Sequence, residues 1–115
     1  MRRGDVVWVD LDPAQGAEAS KLRPAVVVSN DGANTTADRL GRGVVTVVPV
    51  TSNTERVYPF QVLIPAGRSG LPRESKAQAE QVRAVTVGRV RRVVGRLPDD
   101  LMARLDDALR LHLGL

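Results

Sequence analysis

Short runs of apolar residues, mostly valine, alternate along the chain with polar and turn-forming segments. Runs of about four to eight residues, rich in β-branched side chains and bounded by Gly, Pro, Asn or Asp, predict β-strands. The predicted strands cover residues 6–11, 25–29, 44–50, 60–64, 75–79 and 81–85, the last two being either one strand or two. A proline inside the third run indicates an edge position or a bulge there.

The segments between these strands have a different character. Residues 12–22 contain a proline and a glycine and predict a long loop, whereas residues 30–43 predict an excursion with one helical turn. Residues 86–92 predict a short helix, after which Val93 and Val94 close the sheet.

The hydrophobic period changes near the C-terminus. One face of a predicted helix carries Leu101, Leu105, Ala108, Leu109 and His112. Asp99 and Asp100 lie in its first turn, where the helix dipole favours negative charge. Spacings of four residues predict the ion pairs Asp100–Arg104 and Asp106–Arg110. The tail is therefore predicted to be an amphipathic helix.

Many short strands followed by one helix predict a mainly β fold with α, in which the C-terminal amphipathic helix packs on a small, strongly bent β-sheet or barrel. The length of 115 residues suits a single domain spanning 1–115. The chain has no cysteine, which excludes disulfide frameworks and thiolate metal sites. No apolar run approaches the roughly 20 residues of a membrane helix, and we expect no signal peptide, so a cytoplasmic location is expected.

Charge adds a preference for polyanions. The chain has 17 Lys and Arg residues against 13 Asp and Glu residues, a formal net charge of +4. Eight of the bases fall between residues 68 and 96, where only Glu74 and Glu80 oppose them. Such a stretch attracts nucleic acid through counterion release, although a solvated arginine-rich face with no ligand would have the same composition.

Candidate chemistry is limited by what the chain lacks. Its one histidine, His112, lies on the apolar face of the predicted tail helix, where a partly buried core or interface position is expected. Serine–histidine–aspartate catalysis and zinc coordination therefore lack suitable residues. Asp10 and Asp12 could form a magnesium pair, but an Asp directly before Pro13 is typical of a turn, and the turn is the expected role.

The remaining candidates for catalysis are arginines, hydroxyl groups and a few carboxylates at strand ends. Cleavage of RNA by its own 2′-OH needs an aligned nucleophile, stabilised charge on the phosphorane and the transfer of two protons. The planar fork of arginine matches phosphate oxygens, and a threonine hydroxyl orients one of them, so this reaction requires no metal and no cofactor. Because the same residue types occur on many surfaces, this establishes sufficiency only.

Four sequence blocks, in this order, resemble the MazF/PemK family of toxins. They are RGDVVWVDLDP at residues 3–13 followed by Gly16 and Glu18, RPAVVVS at 23–29, VPVTS at 48–52 with YPF at 58–60, and AEQVRAV at 79–85 with VGRL at 94–97. Each block alone is modest, but their order and spacing over nearly the whole chain are highly specific.

The resemblance implies an SH3-like, curved β-barrel of the CcdB/PemK type with a terminal helix, paired as a symmetric homodimer. It implies an endoribonuclease that cuts single-stranded RNA, including mRNA, at selected sequences, leaving in many members a 2′,3′-cyclic phosphate and a 5′-hydroxyl. It also implies a MazE-like antitoxin as partner. An acidic, partly disordered segment of that kind would mask a basic groove.

The same resemblance implies site residues. Arg23 of the Arg-Pro motif and Thr51 after the Pro-x segment are the expected catalytic pair, with Glu18 as the acidic residue that some members need for cleavage. The expected RNA-binding residues are Gly16, Lys21, Ser52, Gln81 and Arg83. Because a guanidinium stays protonated in proteins, Arg23 is expected to clamp the phosphate first and to donate a proton to the leaving oxygen second.

Structural roles stay open for several of these residues. Arg23 is alternatively a strand-entry salt bridge with Asp31, and Thr51 is alternatively an ordinary β-branched strand residue. Gln81 and Arg83 alternate along a predicted strand and should project to one face, where they contact RNA, or else Arg83 pairs with Glu80 at a dimer contact.

Base recognition is expected to rest on polar and arginine contacts, because aromatic residues are scarce and Trp8 and Phe60 are assigned to the core. Two other functions stay open. A CcdB-like gyrase poison would rely on an aromatic residue at the C-terminus, which ends here in His-Leu-Gly-Leu. A non-catalytic SH3-like module would bind RNA or peptide without cutting it.

Overall fold

The computed structural model describes residues 1–12 and 21–115. The strands are β1 (Asp5–Asp12), β2 (Lys21–Val27), β3 (Val44–Thr51), β4 (Gln61–Ile64), β5 (Ser75–Gln78), β6 (Arg83–Thr86) and β7 (Val90–Arg96). The helices are α1 (Asp31–Leu40) and α2 (Asp99–Leu113), and 3₁₀ turns span Ala79–Gln81 and Val87–Arg89. The mainly β fold with a C-terminal helix is thus confirmed. Among the described residues, neither helix has the length and apolar character that a membrane crossing requires.

The strands form one antiparallel sheet in the order β4-β5-β3-β2-β1-β7. β3 is its centre, because it pairs with β2, with β6 through residues 44–47, and with β5 through Val50 and Thr51. In the described part of the chain no ladder joins β4 to β7, so the sheet is open along its hydrogen bonds.

Side chains of the sheet fill two separate cores, as expected for strands whose residues alternate between faces. The first core contains Val6, Val26, Val48, Val62, Ile64 and Leu97, and α2 adds Leu101, Leu105 and Ala108 to it. The second core contains Val7, Val9, Leu11, Val27, Val45, Val47 and Val85, and α1 adds Ala37. The bent sheet is therefore covered by one helix on each face.

The ends of the sheet path meet through backbone contact. The loop after β4 crosses β7 so closely that a Cβ on Gly70 would lie 2.3 Å from the carbonyl oxygen of Val94. A Cβ on Gly95 would lie 2.1 Å from the carbonyl oxygen of Ser69. Only glycine fits at both positions, and Gly70 also has a left-handed φ of 88°.

Two predicted elements were wrong in kind or extent. The segment expected to hold one helical turn contains the ten-residue helix α1. Asn30 caps the N-terminus of this helix, and Gly41, in the left-handed conformation, caps its C-terminus. Residues 86–92, expected to be helical, form a 3₁₀ turn and the start of β7, because pairing of Val90 with Val9 on β1 favours an extended backbone.

The tail helix matches its predicted face but not its predicted ion pairs. Asp100 pairs with Arg68 at 2.9 Å and Asp106 with Arg3 at 2.7 Å, so both carboxylates bind the rest of the molecule instead of their own helix. His112 is exposed in this chain, and the prediction of a partly buried core position for it was wrong.

Candidate functional site

A groove of about 690 Å³ opens at one end of the sheet, where β2 leaves the ladder with β3. Its lining residues are Trp8, Leu11, Leu22, Arg23, Pro24, Pro49, Val50, Thr51, Ser52, Leu71, Pro72, Arg73, Ser75, Gln78, Gln81 and Arg83. Among them are three arginines and no carboxylate, so the described wall of the groove carries only positive formal charge.

Strand register brings Arg23 and Thr51 to the same end of the sheet. Ala25 on β2 is paired with Pro49 on β3. Because the two strands are antiparallel, Arg23 and Thr51, each two residues from this pair, lie at the same end of the sheet. Arg23 is exposed, and within the described residues it has no ion-pair partner. The alternative ion pair with Asp31 is not formed, and that carboxylate accepts the backbone N–H of Arg3 at 2.6 Å.

The hydroxyl of Thr51 is oriented by the chain that follows it. Its Oγ1 accepts the backbone N–H of Asn53 at 3.2 Å. Because the hydroxyl acts as acceptor in this bond, its hydrogen remains available to donate to an anion in the groove. Ser52, the next residue, is exposed and also lines the groove.

Gln81 and Arg83 both line the groove, but their predicted strand setting was wrong. Gln81 ends a 3₁₀ turn and Arg83 begins β6, so they belong to different elements. Arg83 donates from Nη1 to the carbonyl oxygen of Leu11 at 3.2 Å. Glu80 instead accepts from Gln61 at 2.8 Å, so the alternative ion pair between Glu80 and Arg83 does not form within this chain.

A family model described as PemK-like, MazF-like toxin of type II toxin–antitoxin system matches residues 2–113 of this sequence. The chain belongs to this family. It is 61% identical over 115 residues to the endoribonuclease MazF9 of Mycobacterium tuberculosis, covering 100% of this chain and 98% of that protein. It is 33% identical over 116 residues to the endoribonuclease EndoA of Bacillus subtilis, covering 100% and 96% of the two chains.

Solved structures of MazF toxins share the fold. A MazE–MazF crystal structure from Deinococcus radiodurans matches with a TM-score of 0.79 and 28% identity, over 100% of this chain and 96% of that one. MazF alone from the same organism matches with a TM-score of 0.76 and 28% identity, over 100% and 97% of the two chains.

Three residues expected from the MazF/PemK motifs are not fully described. Gly16 and Glu18 fall in 13–20, outside the described residues. Lys21 opens β2, where its backbone pairs with Asp12, but its side chain is likewise outside what the structure describes. The described groove therefore contains Arg23, Thr51, Ser52, Gln81 and Arg83 of the expected site.

The groove of this MazF-like toxin also contains residues that the sequence did not point to. Arg73 and Gln78 line it from the two ends of the β5 region. Arg73 belongs to the basic stretch, which was a usable signal, whereas Gln78 had none. Trp8, assigned to the core, is half-buried: it packs against the first core and also lines the groove.

Phe60 also departs from expectation, and Asp10 belongs to β1. Phe60 is half-buried and stacks on the exposed Tyr58, with ring centroids 5.3 Å apart and planes 4° apart, so it is not a core residue. Asp10 is a buried strand residue whose Oδ2 lies 3.8 Å from Arg91. In the described ranges, no three His, Asp or Glu side chains are grouped as metal ligands would be.

Proposed function

We propose that this chain is a sequence-selective, metal-independent endoribonuclease toxin that cuts single-stranded RNA, including mRNA. The observation that carries the proposal is the groove at the open end of β2 and β3, where Arg23 and a hydrogen-bonded Thr51 share a wall without carboxylates. Two relatives that match over the full chain are named endoribonucleases, which supports the same activity.

The proposed reaction is attack by the 2′-OH of the RNA on its adjacent phosphate. A bond forms between the 2′-oxygen and phosphorus, and the bond from phosphorus to the 5′-oxygen breaks. The products are a 2′,3′-cyclic phosphate and a 5′-hydroxyl. The carboxylate of Glu18 accepts the 2′-OH proton, and the leaving 5′-oxygen takes a proton from Arg23.

The main requirement of this reaction is stabilisation of the negative charge on the phosphorane. The guanidinium of Arg23 binds two phosphate oxygens with its planar fork. The hydroxyl of Thr51 donates its hydrogen to a non-bridging oxygen, while its own oxygen accepts the backbone N–H of Asn53. Donors fixed before the charge develops need no reorganisation during the reaction, which is where such groups have their largest effect.

The rest of the groove is proposed to select and hold the RNA. Ser52, Gln81 and Arg83 contact phosphates and base edges beside the scissile bond. Gly16 and Lys21, the latter at the start of β2, are proposed to contact the RNA as well. Trp8 adds a half-buried ring at the groove wall, where a base can stack.

We further propose that a MazE-like acidic antitoxin masks this groove and that two copies of the chain form a homodimer. A solved MazE–MazF structure of Deinococcus radiodurans, at 28% identity, supports the first point. A groove wall that carries arginines and no carboxylate attracts an acidic segment as it does RNA. The proposed setting is the cytoplasm, where mRNA and its antitoxin meet.

The bent sheet is proposed to be an SH3-like barrel whose final closure is made without a hydrogen-bonded ladder between strands. The close approach of Gly70 to Val94 and of Gly95 to Ser69 supports this, because it brings the loop after β4 against β7. The barrel of this single 1–115 domain is then completed by backbone packing between two glycines.

Cleavage of a long single-stranded RNA in excess EDTA tests the proposal. We expect discrete cuts with 5′-hydroxyl ends, lost in Arg23→Ala and in Thr51→Ala. Arg104→Ala, an exposed position on α2 outside the groove, is the matched control and should cut as the wild type does. Absence of cutting by the folded wild type, on any RNA tried, would leave a binding module or a gyrase poison as the function.

A further inference from the structure

We infer that Lys76 is a positioning residue for the cleavage site, an inference that rests on the proposed function. Lys76 lies on β5 directly opposite Thr51 of β3 in the antiparallel ladder. Side chains of directly opposite residues point to the same face of a sheet, with Cβ atoms about 5 Å apart. The lysine is nevertheless 8% exposed and does not line the groove.

The environment of the Lys76 ammonium is unusual for a lysine. Nζ donates to the carbonyl oxygen of Arg56 at 2.6 Å. In the described ranges no carboxylate lies within ion-pair distance of it. Lysine is rarely buried without such a partner, because removing an ammonium from water costs free energy that a neutral side chain would not. A buried ammonium that does not line the groove therefore indicates a role beyond packing.

That role follows from the segment to which the Lys76 ammonium is hydrogen-bonded. Arg56 lies in the connection between β3 and β4, five residues after Thr51. Other hydrogen bonds in the same connection include those from the Asn53 N–H to Thr51 Oγ1 and from the Thr54 hydroxyl to Glu74 Oε1, each 3.2 Å. The Lys76 bond holds the middle of this connection, so the stretch from Thr51 to Arg56, which orients the Thr51 hydroxyl, is bonded at both of its ends.

The charge of Lys76 strengthens the hydrogen bond that it donates, because a charged donor binds a carbonyl oxygen more strongly than a neutral one. Its ammonium is bonded to Arg56 in the segment that follows Thr51, and Thr51 itself lies opposite Lys76 in the ladder. Because Lys76 is behind the wall, it does not neutralise a phosphate by contact. It acts on the phosphate through Thr51 and the segment that follows.

Lys76→Met tests the assignment, because it keeps the apolar stem and removes the ammonium. Single-turnover cleavage is expected to slow by about tenfold to a hundredfold, since a displacement of about 1 Å at a reacting group can have such an effect. KM for RNA should stay within about twofold. The slope of binding against salt should not change, because Lys76 releases no counterion from the RNA. Lys76→Arg, which keeps charge and donors, should recover most of the rate.

Two comparison variants distinguish a positioning role for Lys76 from direct RNA binding and from a loss of stability. Arg73→Ala removes a groove arginine and should instead raise KM and lower the salt slope by about 0.7, the value for one contact to a single strand. Leu105→Val, a core change on α2, should lower the melting temperature without slowing cleavage at the assay temperature. If Lys76→Met does not fold, Lys76→Gln, which keeps a donor and loses the charge, makes the same comparison.

The outcomes separate this inference from the proposed function. If Lys76→Met cleaves at the wild-type rate, or changes KM and salt slope as Arg73→Ala does, Lys76 is not a positioning residue although the endoribonuclease assignment stands. If the wild type cuts no RNA, the proposed function fails first. Slowed cleavage with unchanged KM and rescue by Lys76→Arg supports the inference.

Discussion

The hydroxyl of Thr51 is the single group whose removal tests the proposed chemistry most directly. Thr51→Val keeps the β-branched shape that suits β3 but removes the donor. We expect the single-turnover cleavage rate to fall by about a hundredfold, as removal of one fixed donor to a developing oxyanion does. Thr51→Ser should retain most of the rate, and both variants should melt near the wild-type temperature. Wild-type cleavage by Thr51→Val would remove Thr51 from the mechanism.

Individual site residues differ in how far the sequence could predict them. Arg23 and Thr51 are carried by motifs, and the register of β2 and β3 brings both to the groove. Gln78 and Arg73 reach the groove only because β5 folds back beside β3, which no local pattern records. Trp8 was misassigned because a half-buried tryptophan on a strand has the same sequence context as a fully buried one.

Among the elements, α1 shows why a helix can be missed. Only Asn34 and Ala37 are buried on it, so it has almost no apolar stripe for a periodicity search to detect. Its signals are local instead: the Asn30 cap at the start and the left-handed Gly41 at the end. α2, with three buried apolar residues at helical spacing, was predictable from its sequence.

Asn30 is the position at which the stability of α1 can be tested. Its side-chain oxygen accepts the backbone N–H of Ala33 at 2.8 Å. Asn30→Ala should lower the free energy of unfolding by about 1 kcal/mol, the usual effect of losing an N-cap, and Asn30→Ser should restore it. Urea denaturation measures both. Equal stability of Asn30→Ala and wild type would mean that the cap contributes nothing to this helix.

At the scale of the whole molecule, the loop after β4 contacts β7 in a way that sequence patterns could not predict. Gly70 and Gly95 are distant in the chain, and each looks like an ordinary loop or strand glycine. Gly95→Ala places a methyl group 2.1 Å from the carbonyl oxygen of Ser69, so it should lower the free energy of unfolding by about 1–3 kcal/mol. Gly88→Ala is the control, because its methyl group meets nothing within 4 Å. Equal urea midpoints for the two variants would argue against a stabilising role for this contact.

A second contact joins the β4–β5 loop to α2 across the molecule. Arg68 donates to both carboxylate oxygens of Asp100, at 3.0 and 2.9 Å. The hydrogen bonds from Arg68, followed by its charge, lower the pKa of Asp100, and the same pair raises the pKa of Arg68. Arg68 stays charged over the whole accessible pH range, so acid acts on this contact through Asp100 alone.

The sign of the pH dependence follows from that lowered pKa. A carboxylate that binds protons more weakly in the folded chain stabilises it above the pKa of the unfolded chain, and this stabilisation is lost as the pH falls through the lowered value. Wild type should therefore exceed Asp100→Asn in free energy of unfolding at neutral pH, and the difference should shrink in acid. Both side chains are exposed to solvent, so high salt should reduce the difference as well. Urea denaturation of both proteins across the acidic range measures it, and parallel curves would show that the pair does not link α2 to the sheet in solution.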